Sequence, residues 1–475
     1  MRRELVYSKV AVGCIVFFSC LGSLLYGYDI GCTSVALAQL HQPISGVAWY
    51  AIIAESVYYQ GLIASASLIG AFMASLFIFI MSAYYSSMHL LLSASSAYIL
   101  GSFFEMWSFK LGLNVFILSR IIYGIGMGFS SIGSAAYLAD MLPPSIRGCG
   151  LAMKETFTMF GLLMGYSIGI AFEKTEGGWA MMYVMALPIA IIMLVGLIAF
   201  PHSYRWLISH SYQNDAIYAI QIIYPQITNT EIQETFNAMS RMDNYENIGL
   251  CVKLATPKTF TSFWISLLII LFQQFSGQPT ILYFLHTLLD TIGANRYSVI
   301  WISAIMLMTT FITPFLIEKI GRKLLLSIGC ILMLLTLLIA GTLLSVTSLA
   351  EYQSDAIIVV VCLCIYIAGF EYSFGSVSWT LIAEISPSDS RELILSASKL
   401  SDLFLNFFVA TLFPVEVEDI GVANAFFIYA AVIFCFLLFL STNIIPETKD
   451  LSLEEIERLM TQRWSPSAYT YLDIE

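Results

Sequence analysis

The sequence predicts an all-α membrane protein of twelve transmembrane helices in two six-helix halves. Three observations predict it. The 475 residues are 59% hydrophobic and only 11% charged, where a soluble domain carries about a quarter charged residues. A chain this apolar cannot cover itself with polar surface, and a bilayer removes that need because lipid solvates the outside of the bundle. Apolar runs of about 20 residues, the length that spans the hydrocarbon core, recur along the chain. The longest polar interval, Pro201 to Phe260, parts them six and six.

The runs start near Val10, Ser56, His89, Leu113, Leu151, Met181, Ser262, Ser298, Leu324, Ala356, Leu393 and Val422. The first is too long for the h-region of a cleavable signal and reads as a first span. The expected organisation is an N-terminal half over 1–200, a cytoplasmic linker over 201–260, a C-terminal half over 261–445 and a cytoplasmic tail over 446–475. That is the layout of transporters built from repeats. Within the linker, Tyr212–Tyr224 and Glu231–Met242 read as short surface helices. In the tail, Ser452-Leu-Glu-Glu455 forms a capping box, its hydroxyl and carboxylate each satisfying a free helix-start amide. A surface helix through about Gln462 should follow.

Basic residues set the orientation. With both termini inside, Arg2, Arg3, Lys9, Arg147, Arg205, Arg241, Lys253, Lys258, Lys319, Arg322, Lys323, Arg391, Lys449, Arg458 and Arg463 fall on the cytoplasmic side, fifteen of the 21 Lys and Arg. Lys110, Lys174 and Arg296 fall outside, and Arg120, Lys154 and Lys399 lie within or at the ends of spans. The net charge of −11 therefore matters less than its placement and indicates no nucleic-acid partner. No Asn-x-Ser/Thr sequon occurs, so N-glycosylation is not expected.

Several chemistries find no support. The nine cysteines show no metal spacing, and Cys362-Leu-Cys364 is too short for a redox pair, so they read as buried free thiols. No Walker loop or His-Glu-x-x-His motif occurs. Gly165-Tyr-Ser167-Ile-Gly169 matches a hydrolase elbow in letters, but that motif needs a strand-to-helix turn and this one sits inside a spanning helix. Gly161, Gly165 and Gly169, like Gly124 and Gly128, repeat every four positions and predict close helix packing. The chain is not expected to be an enzyme or to hold a cofactor or metal.

A set of local patterns, in order over nearly the whole chain, resembles the sugar porter family of the major facilitator superfamily. It comprises Gly27-Tyr28-Asp29; Arg120 within Ser119-Arg-Ile-Ile-Tyr-Gly124; Tyr137-Leu-Ala-Asp140 running into Pro144-Ser-Ile-Arg147-Gly148; and Gln273-Gln274-Phe-Ser-Gly277-Gln278-Pro279. Then come Glu318-Lys-Ile-Gly321-Arg322-Lys323, Trp379, Ala383-Glu384, Arg391 and Pro446-Glu447-Thr448-Lys449. Each piece is weak alone; the ordered set is specific. The Gln-Gln-x-x-Gly-Gln-Pro form and Glu155 resemble the facilitative, glucose transporter-like members of animals, some of which couple to protons.

The resemblance implies a substrate site and a coupling site. Sugar hydroxyls donate and accept at once, as amide side chains do, and Trp adds an apolar face with one N–H. Gln273 and Gln274 match the sugar-binding pair and Trp379 the platform under the ring. Gln278 fits the same need, four positions from Gln274 on one helix face; Tyr283, Asn406, Glu155 and Glu371 match further binding positions, Glu155 with pairing near Lys154 or titration as alternatives and Glu371 with gating or a structural role. The bland alternative for the Gln and Asn residues is helix–helix hydrogen bonding, worth about 1 kcal/mol or less per bond. Asp29 matches an Asp that pairs, in proton-coupled relatives, with the Arg that Arg120 matches. Protonating it would release that Arg and shift the balance of states; the alternative is a static ion pair. Lys399 and Asp402, three apart, can neutralise each other. Arg147, Glu318, Arg322, Glu384 and Arg391 match gating charges.

The departures from the family pattern matter as much. Phe79 to Met88 carries no charge where a charged loop motif is usual, and Pro201-His-Ser-Tyr-Arg205 replaces Pro-Glu-Ser-Pro-Arg. Pro279 or Thr280 stands for a usual Asn, Met306 for another, and Asp402-Leu403 for Asn-Trp. The reading is a transporter of glucose or a similar hexose by alternating access, facilitative or by symport with protons, in the plasma membrane. A transport-deficient sugar receptor or scaffold is the alternative. The expected partners are a monosaccharide, protons and the lipid bilayer.

Overall fold

The computed structural model describes residues 7–81, 85–143, 146–228, 232, 257–346, 353–387, 390–442, 444–445, 447–449 and 455–456. Every regular element among them is helical. The expected helix at Glu231–Met242 and the tail helix through Gln462 lie almost wholly outside the described residues, whereas Gln213–Ile223 is helical as expected.

The chain divides into two compact units, residues 1–54 with 66–248 and residues 55–65 with 249–475. The first holds α1 (Lys9–Leu40), α2 (Tyr50–Glu55, apart from its last residue), most of α3 (Val57–Met81), α4 (Ser87–Leu111), α5 (Leu113–Met141), α6 (Arg147–Phe172), α7 (Gly178–Val184), α8 (Ala186–Ile198), α9 (Tyr204–Ser209) and α10 (Gln213–Ile223). The second holds α11 (Pro257–Phe275), α12 (Gln278–Tyr283), α13 (Leu285–Ile292), α14 (Ser298–Ile320), α15 (Arg322–Val346), α16 (Gln353–Phe370), α17 (Val377–Ile385) and α18 (Arg391–Ser441).

Among the described residues, eleven stretches are long and apolar enough to cross a membrane. The last, Leu393–Ser441, is 49 residues, about 73 Å of helix at 1.5 Å per residue and more than twice a hydrocarbon core. It is two helices end to end, broken at Gly421, whose φ of 80° and ψ of 158° are not helical. With that break the stretches make the twelve spans expected from sequence. Large apolar side chains such as Val195, Ile198, Trp301, Met308 and Phe315 stand exposed on the helix surfaces. Such a surface is stable against lipid, not water.

Small residues bring the helices of the first unit together. A Cβ on Gly27 would lie 1.8 Å from the Thr158 carbonyl oxygen, and one on Gly161 2.0 Å from that of Leu24. The α1–α6 crossing is thus backbone against backbone, and Gly165 and Gly169 continue it. Gly124 does the same between α5 and α3, with 1.9 Å to the Ser67 carbonyl. The four-residue glycine spacing is therefore a packing device, as expected. At the end of this unit α9 and α10 pack through Leu207, Ala216 and Ala219. The Ser8 amide, at the start of α1, donates to the Ile223 carbonyl at 2.9 Å, which ties the first span to this layer.

Candidate functional site

The first unit carries a buried ionic cluster. Asp29 on α1 and Arg120 on α5 are each at most 1% exposed. Gly22 lets these two helices approach, since a Cβ there would lie 2.6 Å from that of Ser130 on α5. Arg120 engages Asp29 through both terminal nitrogens. The Ser67 hydroxyl donates to Asp29 Oδ2 at 3.0 Å and accepts from Arg120 Nη2 at 3.2 Å. The Tyr183 ring lies 5.2 Å from the guanidinium carbon. The pair expected from the sequence is thus formed and wholly enclosed. A third ionisable group stands beside it: Glu105 on α4, fully buried, with Oε1 3.6 Å from Arg120 Nη1.

The second unit carries a site built on broken helices. The span over Thr259–Tyr283 is interrupted where α11 ends at Phe275 and α12 begins at Gln278. Gly277 sits in the left-handed region at φ 94°, and a Cβ there would meet the Tyr429 ring at 2.3 Å, so only glycine fits. Pro279 then lacks an amide proton and favours a new helix start. The break frees backbone groups, and side chains satisfy them: Tyr366 donates to the Ser276 carbonyl at 3.0 Å and Thr280 to that of Gly277 at 2.6 Å. Interrupted spans of this kind mark binding sites in secondary transporters.

Gln273 and Gln274 lie in the last turn before this break, and both are buried. The Gln274 amide donates to Asp402 Oδ1. Oε1 of Gln273, Oε1 of Gln274 and Oδ1 of Asn406 have no partner among the described residues. Buried amide oxygens without a partner are rare, because each costs about 1–3 kcal/mol; a ligand hydroxyl would relieve that cost. Asp402 also pairs with Lys399 at 2.7 Å, and the Lys399 ammonium lies 5.2 Å from the centre of the Trp379 ring. The local neutralisation expected for Lys399 and Asp402 is present, and it links the amide pair to the aromatic platform. Gln278 and Trp379 are half-buried and Tyr283 is buried. A second interruption, the π turn Glu371–Gly375 between α16 and α17, carries buried Glu371, which accepts from Thr310 at 3.0 Å. Such π turns are frequent at functional sites.

Glu155, on α6 of the first unit, is 57% exposed and 4.0 Å from the Lys154 ammonium. The charges expected to gate divide in two. In the second unit Arg322 Nη2 meets Glu384 Oε1 at 2.8 Å, and Thr448 donates to the other carboxylate oxygen at 2.6 Å. Glu447 caps α15 by accepting from the Arg322 and Lys323 amides at 2.9 and 3.0 Å. Arg391 donates to the Ser386 carbonyl at 3.4 Å, and the Glu318 side chain lies outside the described residues. In the first unit Arg147 makes no ion pair among the described residues with Asp140, which instead lies 3.7 Å from Arg205 Nε and accepts from Ser203 at 2.6 Å. The altered Pro201-His-Ser-Tyr-Arg205 segment thus still supplies partners to Asp140. The His202 and His89 rings lie tilted against each other with centres 4.5 Å apart, and His202 also contacts Trp206. Burial pushes the His202 pKa below its ordinary value and the neighbouring His89 adds to this.

Sequence reasoning missed two parts of this arrangement. Glu105 falls near the end of its expected span, where an acidic residue gives no signal of its own. The pairing of Gln274 with Asp402 joins residues 128 positions apart, which spacing cannot show.

A helical bundle of two units, with intramembrane ion pairing and a polar site at interrupted spans, defines a membrane carrier rather than an enzyme. The sequence profile of the sugar (and other) transporter family matches residues 15–460. The chain belongs to that family. It is 30% identical to the D-xylose-proton symporter-like 3, chloroplastic, of Arabidopsis thaliana, over 93% of this chain and 81% of that protein. It is 27% identical to the arabinose-proton symporter of Bacillus subtilis (94% and 96% covered) and 28% to the glucose transporter GlcP of Staphylococcus epidermidis (94% and 97%). Among solved structures, the inward open conformation of the xylose transporter XylE from E. coli matches with a TM-score of 0.79 at 23% identity, covering 94% of this chain and 99% of that one. The major facilitator fold and the sugar porter resemblance expected from the motifs therefore hold, and so does transport over the receptor alternative.

Proposed function

We propose that the protein carries a monosaccharide of hexose or pentose size through the membrane by alternating access, in symport with a proton. The buried amide pair carries the reading. Gln273 and Gln274 present unpartnered oxygens at a break in a spanning helix, the groups a sugar hydroxyl needs. Trp379 supplies the apolar face, and Gln278, Tyr283, Asn406 and Glu371 complete the set from the same unit. Glu155, on α6, is a further candidate for the sugar. Asp29 with Arg120 is the proton site, because a carboxylate held by one guanidinium changes its bonding when it takes a proton. Arg147, Glu318, Arg322, Glu384 and Arg391 serve as gating charges. Residues 1–200 and 261–445 act as the moving halves, with 201–260 and 446–475 on the cytoplasmic side of the plasma membrane. Relatives whose names specify xylose–, arabinose–proton and glucose transport support both the substrate class and the coupling.

The test is uptake of radiolabelled xylose, arabinose and glucose into proteoliposomes, with and without an inward proton gradient. Accumulation above equilibrium with at least one sugar, abolished by a protonophore, is the expected result. Equilibration without accumulation removes the coupling, and no uptake with a saturable sugar-binding signal restores the receptor alternative.

A further inference from the structure

Arg120 faces two carboxylates, not one. Asp29 and Glu105 come from different helices, α1 and α4, and meet the guanidinium of α5 in a volume where all three side chains are at most 1% exposed. The ionisable groups facing Glu105 are Asp29, Tyr28 and Cys32 on α1, Arg120 and Tyr123 on α5, and Tyr183 on α7. Arg120 is the sole cation among them.

Charge counting gives this arrangement a consequence. With Asp29 alone opposite Arg120, the ionised pair is neutral, and a proton arriving on Asp29 strands a buried cation. A stranded charge in the membrane interior is strongly unfavourable. With Glu105 present the triad is neutral when it holds one proton, and with that proton on Asp29 the ionised carboxylate is that of Glu105. Arg120 then still has an anion to hold. Protonation breaks the Asp29–guanidinium ion pair, and Glu105, already 3.6 Å from Nη1, closes on the freed nitrogen. The proton comes from one side of the membrane and leaves to the other, so atoms and charge balance over a cycle.

We infer that Glu105 is a positioning residue of the proton site: it takes Arg120 over from Asp29 whenever Asp29 is protonated. The inference rests on the symport reading above. Two interacting carboxylates titrate as a set, so removing the charge of one changes the pH at which the set takes its proton. Without Glu105, Asp29 faces the full positive charge of Arg120, which favours its ionised form, and more acid is needed to protonate it.

The experiment is proton-driven sugar accumulation in proteoliposomes as a function of external pH, for the wild type, Glu105→Gln and Glu105→Asp. Sugar-dependent proton uptake is read in parallel with a pH dye. Glu105→Gln should move the midpoint to lower pH by about one unit, that is, about tenfold more protons for the same coupling. Glu105→Asp keeps the charge farther from Arg120 and should fall between the two, which also serves if the Gln variant does not fold. Midpoints in both variants that coincide with the wild type overturn the role of Glu105 and leave symport standing. A wild type whose accumulation ignores the proton gradient overturns symport itself, and this role with it. A purely structural Glu105 would lower yield without moving the midpoint of the protein that folds.

Discussion

Asp29→Asn keeps the size of the side chain and removes its charge, so it tests who else holds Arg120. Removing one partner of a buried ion pair commonly costs about 3–5 kcal/mol, because the other charge is left bare. Here Glu105 Oε1 lies 3.6 Å from Arg120 Nη1, and at an effective dielectric of about 20 two unit charges at that separation attract by about 4–5 kcal/mol. That attraction is of the size of the expected loss and should offset most of it. What remains is the charge-assisted hydrogen bonding to Asp29, so the single variant should lose about 2 kcal/mol. Glu105→Gln alone leaves a neutral Asp29–Arg120 pair and should be close to wild type. The double variant strands Arg120 and should lose the full 3–5 kcal/mol or about that. Fluorescence-detected unfolding in detergent on the four proteins gives the double-mutant cycle. The double variant should be less stable than the sum of the singles by about 1–3 kcal/mol. If Asp29→Asn alone is as damaged as the double variant, and the two effects add, Glu105 does not take over Arg120 and the charge argument fails.

Three further outcomes follow from the geometry. Gln273→Ala should weaken sugar binding by about 0.5–1.5 kcal/mol per lost hydrogen bond, a drop of up to about tenfold in titration calorimetry, with normal yield; unchanged affinity in the folded variant would remove Gln273 from the site. Gly277→Ala places a Cβ 2.3 Å from the Tyr429 ring at φ 94°, so at least about 1–2 kcal/mol of backbone strain plus a steric clash should cut folded yield on size-exclusion chromatography; a wild-type profile would show that the break tolerates a side chain. His41, at the end of α1, has its pKa pushed down by burial to about 4. The unfolded chain binds that proton near pH 6.5 and the folded chain only near 4, so stability is lost as pH falls through this window, by at most about 3 kcal/mol. Melting temperatures between pH 7 and 4 should drop more steeply for the wild type than for His41→Gln, and equal slopes would exclude His41 as a cause.

The spans were legible because lipid imposes length and hydropathy directly. Even the run of 49 residues was divisible: separate starts near Leu393 and Val422 bracket Gly421, the one residue whose backbone leaves the helix. The break at Gly277 was not read from the sequence, because glycine and proline also occur inside unbroken spans such as the one carrying Pro314. Nor was Glu105. A span of about 20 residues starting near His89 would end close to Ser108 and place Glu105 in its last turn, where an acidic residue needs no explanation. The helix in fact runs 25 residues to Leu111, and burial of Glu105 depends on α5 packed alongside it. A side-chain environment made by neighbouring helices leaves no trace in the local sequence.

The departures from the family pattern follow one physical rule that the sequence shows only in halves. Buried carboxylates set in unusual places have acquired partners. Asp402, where Asn is usual, is met by Lys399 on its own helix and by the Gln274 amide. His202, where Glu is usual, hydrogen-bonds to the Ser86 hydroxyl at 3.2 Å and leaves Asp140 to Ser203 and Arg205. Glu105 is met by Arg120. In a low-dielectric bundle a lone charge or buried polar group is strongly penalised, whereas a paired one is tolerated. The usual pattern can therefore be altered without loss of the fold only by changes that bring a counterpart within reach. For the proposed sugar site this has a functional consequence. Gln274 is oriented here by a carboxylate that is itself held by an ammonium over the Trp379 ring. Any change at Lys399 should therefore reach the sugar through Asp402 and Gln274, and alter substrate preference without Lys399 itself being required to touch the substrate.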